Sequence, residues 1–226
     1  MTAKRHLPKF RRATPAVRRE ALIDATLTCL KKYGHDGVSV RRISAAAGVS
    51  IGLINHHFPN KAGLIAETYE TLSLSLTESI RARVENKEVP ARQRLSLFFK
   101  ESFAPELVDP ELFNVWVVFW SMVAHSPEIR AVHDQTYGQY RRVLERLIDE
   151  LVRTGTAPQL RTRSAAISLN ALLDGLWVEL SLSPSTFKPT EAIAICEDWV
   201  DALCNGAFPR LQRATSRVKT AKLRRR

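Results

Sequence analysis

The stretch Ala45–Phe58, AAAGVSIGLINHHF, constrains what this chain can fold into more than any other. A helix-forming alanine run meets Gly48, which can enter the left-handed backbone region without the steric cost a side chain would bring. Val49 follows, and Ile43 and Ile54 stand at spacings that give two short helices a shared apolar plug. Ser44, four residues before Gly48, is small where such helices nearly touch. Together these features predict a helix-turn-helix. Its first helix is capped by Ser39 and ends near Ala47, its turn is Gly48-Val49-Ser50, and its second helix runs to about His57. Pro59-Asn60 breaks that helix, and Asn60 is placed to cap a longer one reaching about Val84.

The charge around this motif is as informative as its shape. From Val38 to Ala66 the chain carries Arg41, Arg42 and Lys61 but no carboxylate. With Ile54 and Phe58 pointing inward, Ser50, Ile51, Gly52, Asn55 and His56 face out. A groove lined with phosphates repels acids and accepts such groups. Asn pairs with adenine edges, and an apolar side chain meets a thymine methyl. Gly52 costs about 1 kcal/mol against alanine in a helix, yet it lets the backbone approach another surface closely. His57 at the helix end and Lys61 at the next helix start suit phosphates. The expected DNA-contacting set is Ser39, Arg41, Arg42, Ser50, Ile51, Gly52, Leu53, Asn55, His56, His57 and Lys61. A metal site at His56-His57 is disfavoured, because adjacent helix positions diverge by about 100°. An ordinary helical hairpin would leave the glycine, its apolar neighbours and the missing acids as coincidences.

Charge is distributed unevenly over the rest of the chain. The formal net charge is +11, but residues 1–19 hold seven Lys/Arg and 210–226 hold eight, with no acid in either tail. Of the 34 basic residues, 19 therefore remain in 20–209 against all 23 acids, a net of −4. Basic arms on a mildly acidic body fit a polyanionic partner such as DNA. An architectural DNA-binding protein working through its tails alone would show a steep salt dependence and no sequence preference. Three cysteines, Cys29, Cys196 and Cys204, lie in apolar helical runs without a C-x-x-C pair, which reads as reduced, packed thiols. No run approaches the roughly 18 uninterrupted apolar residues of a membrane helix, and the amino end lacks the apolar core of a signal peptide. A cytoplasmic chain is expected, with no membrane partner and no cofactor. No phosphate loop, nucleophile elbow, metal spacing among His35, His125 and His133, or converging acid–base pair marks an enzyme.

Helical periodicity continues to the end, so the fold class is all-α. Helices are expected over Val17–Tyr33 with Gly34 as the stop, Arg92–Phe103, Pro110 onward from an Asp109 cap, Pro127–Arg153, Arg161–Leu182, and from a Thr190 cap to Cys204. The order Ser39–Leu64, SVRRISAAAGVSIGLINHHFPNKAGL, resembles the signature of the TetR family of bacterial repressors. Ile51 stands where that family commonly has lysine, and Asn55 and His57 where it commonly has tyrosine. The resemblance implies a basic arm over 1–14, a three-helix helix-turn-helix DNA-binding domain over 15–66, and a helical effector-binding and dimerisation domain over 67–209. A basic tail follows over 210–226, where composition predicts disorder.

The carboxyl-terminal helices concentrate aromatics. Trp116, Phe119 and Trp120 fall along one helical face, and Trp177 lies near Asp174 and Glu179. Such a stripe serves a core as readily as a ligand, but several rings together suit a quaternary ammonium. The segments Trp116–Trp120, Ser126-Pro127-Glu128 with Tyr137 and Tyr140-Arg141-Arg142, and Ala171–Trp177 resemble the choline-responsive BetI-type branch of the TetR family. That resemblance implies release of operator DNA by choline or its aldehyde and control of glycine-betaine synthesis. The expected effector set is Trp116, Phe119, Trp120, Tyr137, Asp174 and Trp177; relatives that sense other small molecules share the same pattern. A homodimer is expected through two apolar faces, Ala166, Leu169, Leu173, Leu176 and Leu180 on one helix and Ala192, Ile195, Trp199 and Leu203 on the next. Two reading heads would then meet two half-sites of near-palindromic double-stranded DNA.

Overall fold

Helix boundaries follow capping chemistry throughout the chain. A computed structural model describes residues 14–212, and the remaining stretches, which carry most of the basic arm and tail, lie outside the described residues. Among the described residues there are nine α-helices and one short 3₁₀ turn. Helix α1 spans Pro15–Gly37, with Thr14 accepting from Val17 N–H and proline in the first turn, where its missing N–H costs nothing. Gly34 is the predicted stop, with φ of 62°, and it kinks the last turn out of helical geometry. Helices α2 (Val40–Ala47), α3 (Ile51–His57) and α4 (Lys61–Val84) follow, then α5 (Ala91–Ser102) and α6 (Pro110–Val123). Asp109 Oδ1 caps α6 by accepting from Glu111 and Leu112 N–H at 2.6 and 3.1 Å. Then come α7 (Pro127–Arg153), α8 (Thr162–Leu182) and α9 (Pro189–Cys204).

Two details differ from expectation. Helix α9 begins one residue before Thr190 with Pro189, and its cap is Lys188, whose N–H donates to Glu191 Oε2 at 2.7 Å. Proline fits the first helical position better than the second, which moves the start back. Pro209–Leu211 forms a 3₁₀ turn, and Arg161 N–H donates to Leu211 O at 2.7 Å, so the first residues assigned to the tail are held in place.

The chain divides into two compact units. The first runs from the described amino end to Ser79 and adds Pro105–Gln139; the second is Ile80–Ala104 with Tyr140 onward. In the first unit α1 packs on α2 and α6. Its interior includes Leu22, Leu30, Ile43, Ile54, Phe58, Leu64, Tyr69, Phe113 and Phe119. In the second unit α9 packs against α5 and α8 around Leu95, Phe98, Leu144, Leu169, Leu173, Cys196, Val200 and Leu203. Arg92 of α5 ties this packing to α9 through Glu197 and through Asp201, its Nε donating to Asp201 Oδ1 at 2.7 Å.

This arrangement corrects part of the expected dimer faces. Ala166, Leu169, Leu173 and Leu180 are buried inside the second unit, as are Ala192 and Leu203. Those residues are consumed by packing within one chain. Of the expected faces Ile195 stays exposed and Leu176 and Trp199 half-buried, and the other large apolar side chains these two helices leave exposed are Ile167 and Leu182. Helix α8 is also long and apolar enough to cross a membrane by length and composition, yet Ala165, Ala166, Leu169, Leu173, Trp177 and Leu180 are buried in the unit and Asn170 sits among them. Burial of that face with a polar residue in it fits the core helix of a packed bundle.

Candidate nucleic-acid interface and effector region

The helix-turn-helix is built as its residues dictate. Gly48 has φ of 65° and ψ of 31°, the left-handed cap that ends α2, and its N–H donates to Ala45 O at 3.3 Å. Val49 N–H donates to Ser44 O at 3.1 Å, and the Ser44 hydroxyl returns a bond to Val49 O at 2.9 Å. Ser44 is therefore more than a small residue, since it ties both polar groups of the turn. Ser39 and Ser50 cap α2 and α3, accepting from Arg42 N–H at 3.3 Å and Leu53 N–H at 3.2 Å. Asn60 Oδ1 accepts from Gly63 N–H at 2.7 Å and so starts α4 as expected. Caps of this kind contribute about 1 kcal/mol each.

On α3, Ile54 is buried and Phe58 closes the helix from beneath. Ser50, Ile51, Gly52, Asn55 and His56 are all exposed, and Ile51 keeps 41 % of its surface in solvent. A β-carbon added at Gly52 would meet nothing closer than Ser50 Oγ at 3.8 Å, so the fold itself has no need of a glycine there. Leu53 and His57 are half-buried. The carbonyl of His57 accepts from Arg19 Nη1 at 2.9 Å, while Arg19 also forks onto both carboxylate oxygens of Glu67 and lies over the Phe58 ring at 4.5 Å. That hydrogen bond to Glu67 holds the Arg19 guanidinium above its usual pKa. Arg19 thus clamps the last turn of α3 to α1 and α4, a role no local sequence signal carried, because its partners lie 38 and 48 residues away.

The flanking cations divide by role. Arg41 is exposed at the start of α2. Arg42 lies over the Tyr33 ring at 4.4 Å and donates to Gly37 O, which fixes the end of α1. Lys61 donates to Val38 O at 3.3 Å and sits half-buried at the first position of α4. Arg42 and Lys61 therefore brace the motif from within, whichever outside contacts they also make.

The effector candidates fall into both compact units. Trp116, Phe119 and Tyr137 belong to the first, where Tyr69 and His133 join them. Tyr69 stacks on Phe119 at 4.6 Å and meets Trp116 edge-on at 5.9 Å. Its hydroxyl is 2.7 Å from His133 Nδ1, and His133 stacks on Tyr137 at 4.8 Å. Burial holds the His133 imidazole below its usual pKa, which favours the neutral ring. Trp120 is half-buried on the same helix as Trp116. Tyr69 and His133 escaped the sequence reading; the one available signal was His133 and Tyr137 four apart on a single helix face. Asp174 and Trp177 belong to the second unit. Trp177 is buried and its Nε1 donates to Ser102 O at 2.8 Å, while Asp174 Oδ2 accepts from Asn170 Nδ2 at 2.8 Å. Burial raises the Asp174 carboxyl to about 7.

Residues 22–68 match the model of bacterial regulatory proteins of the TetR family, and residues 91–205 match the BetI-type transcriptional repressor C-terminal domain. A transcriptional regulator named BetI from Serratia proteamaculans is 32 % identical over 195 residues, which is 85 % of this chain and 96 % of the relative. The chain belongs to the TetR family. It is a DNA-binding transcriptional regulator with a BetI-type C-terminal domain, and not an enzyme. TetR-family regulators bind operator DNA, usually as dimers, and respond to small molecules. A solved structure of a proposed transcriptional regulator from Pseudomonas aeruginosa PAO1 shares 45 % identity and a TM-score of 0.83, covering 89 % of this chain and 97 % of the other. A Saccharomonospora viridis regulator solved with choline has the same fold, with a TM-score of 0.73 at 19 % identity, covering 82 % of this chain and 96 % of that one.

Proposed function

We propose that this TetR-family regulator is a repressor that reads its operator with the exposed face of α3 and is released by a small organic cation of the choline class. The observation that carries the DNA half is that Ile51, Gly52, Asn55 and His56 all face solvent on a helix without a single acid. Asn55 offers a bidentate partner for adenine, Ile51 a methyl contact, and Gly52 a gap through which the backbone approaches the groove. Arg41, with His57 and Lys61, would hold phosphates on either side. The working unit is a homodimer in the cytoplasm, with its two copies meeting through the α8 and α9 surfaces that carry Ile167, Leu182 and Ile195. The cation half rests on the first unit's Tyr69, Trp116, Phe119 and Tyr137 rings, with Trp120 on the same helix as Trp116; within the second unit, Trp177 and the half-buried Asp174 carboxyl are a separate candidate for the same class of ligand. The choline-bound S. viridis regulator and the BetI name of the relatives support the same choice.

A second reading of the effector has its own support. The rings of the first unit meet one another stacked or edge-on at 4.6–6.4 Å, an apolar cluster that would also suit an uncharged apolar or aromatic molecule. Fluorescence anisotropy on DNA from upstream of the protein's own gene separates the two. Choline and betaine aldehyde are expected to lower operator affinity, whereas 3,3-dimethylbutanol, the uncharged shape mimic, leaves it unchanged. Release by the neutral mimic alone selects the second reading. Choline release is limited by its differential affinity for the two states of the protein, so saturation at partial release is also informative.

A further inference from the structure

We infer that the second unit carries a binding site for a small doubly charged oxyanion, built from residues that take no part in the cation reading above. A cavity of about 260 Å³ opens between the end of α4, the start of α5 and the middle of α7, all within that unit. It is large enough for several waters, and therefore for a phosphate or a short dicarboxylate. Arg81, Lys87, Arg94 and Arg146 line it against two acids, Glu85 and Glu150, while Val84, Val143 and Leu147 supply apolar walls.

Arg94 is the anchor, with 4 % of its surface exposed. Its Nε donates to Val89 O at 2.9 Å and its Nη1 to Val84 O at 3.3 Å, which fixes the guanidinium plane. The buried Nη2 pairs with Glu150 Oε1 at 2.5 Å. Glu150 is moreover shared, because Arg153 Nη2 approaches the same oxygen at 4.0 Å. The lining thus sets four cationic side chains against two carboxylates, one of which, Glu150, is shared with Arg153 outside the cavity. Apolar walls strengthen the attraction for whatever anion enters beside these cations. A planar guanidinium fork suits carboxylate and phosphate oxygens, and a dianion would balance the lining charge. An organic cation would meet the wrong sign here, which distinguishes this site from the proposed effector site.

Isothermal calorimetry on the full chain, in a phosphate-free buffer at constant ionic strength, tests the inference. Its probes are inorganic phosphate, succinate and chloride. Phosphate, succinate or both are expected to bind saturably, and chloride to give no saturable heat. Arg146→Ala and Lys87→Ala change exposed side chains and leave Arg94 holding its two carbonyls; each is expected to weaken binding about ten-fold or more. Arg163→Ala, an exposed charge outside the cavity, is expected to leave it unchanged. Saturation by phosphate alone identifies a phosphoryl ligand, by succinate alone a dicarboxylate, and by both the shared dianion chemistry. Absence of saturation by either anion, or equal binding in Arg146→Ala, overturns the site. Choline response is a separate measurement, so failure of the anion site does not touch the effector reading.

Discussion

Helices α3 and α6 use similar side chains for opposite purposes. Both are short and carry apolar residues on more than one face, but α3 leaves Ile51 41 % exposed while α6 buries Phe119 completely. On α3 two residues, Ile54 and the following Phe58, satisfy the interior, while Ser50, Ile51, Gly52, Asn55 and His56 stay in solvent. On α6 the rings are spent on one another and on Tyr69. The difference teaches where function and stability separate. A change on the outer face of α3 should alter recognition without unfolding, whereas a change among the α6 rings should do both.

The largest effect expected is on α6. Phe119→Ala removes a fully buried ring and should cost about 3–5 kcal/mol, read as a lower urea midpoint at unchanged slope. A loss below 1 kcal/mol would mean that the cluster is loosely packed and the contrast with α3 is weaker than drawn.

Next comes Asp174. Its pKa is raised from 3.8 to about 7 by burial, so the protonated form stabilises the fold fully below pH 3.8, and that contribution is lost as pH rises through about 7. Asp174→Asn should therefore raise stability at pH 8.5 by roughly 4 kcal/mol at most, by about 1.5 kcal/mol at pH 5, and change it little only below about pH 3.8. If Asp174 is the counter-charge of a cation, choline affinity should rise between pH 6 and 8, and a flat profile would remove it from the effector set.

Recognition effects follow. Asn55→Ala should cost about 1–3 kcal/mol of operator affinity, measured by anisotropy, with no shift in melting temperature. A coupled loss of stability would place Asn55 on the structural side of the comparison.

The smallest effect is the sharpest. No neighbour blocks a β-carbon at Gly52, so Gly52→Ala should gain roughly 0.5–1 kcal/mol of stability and yet weaken operator binding. Stability gained with binding intact would show that the glycine serves no close approach.

These contrasts were unevenly legible in the sequence. The turn geometry was readable because Gly48, Ser44, Ser39 and Ser50 act on residues within five positions, and local hydrogen bonds obey local rules. The outward face of α3 followed from periodicity alone. Arg19 was invisible because its clamp joins residues far apart in the chain, and Tyr69 and His133 for the same reason. The dimer faces were misread in part because apolar periodicity marks a buried face without saying whether it is buried by the same chain. Ala166, Leu169, Leu173 and Leu180 are covered from within, Ile195 of the expected set stays exposed, and Ile167 is exposed outside that set.

The most direct measurement compares specific with scrambled DNA for the natural chain and for Asn55→Ala/His56→Ala, each titrated over a range of salt. The account predicts that the double variant loses about ten-fold or more of its preference for operator while its non-specific affinity and salt slope stay as they were, because phosphate contacts lie elsewhere. Equal preference in both proteins would mean that sequence is read by something other than the outer face of α3.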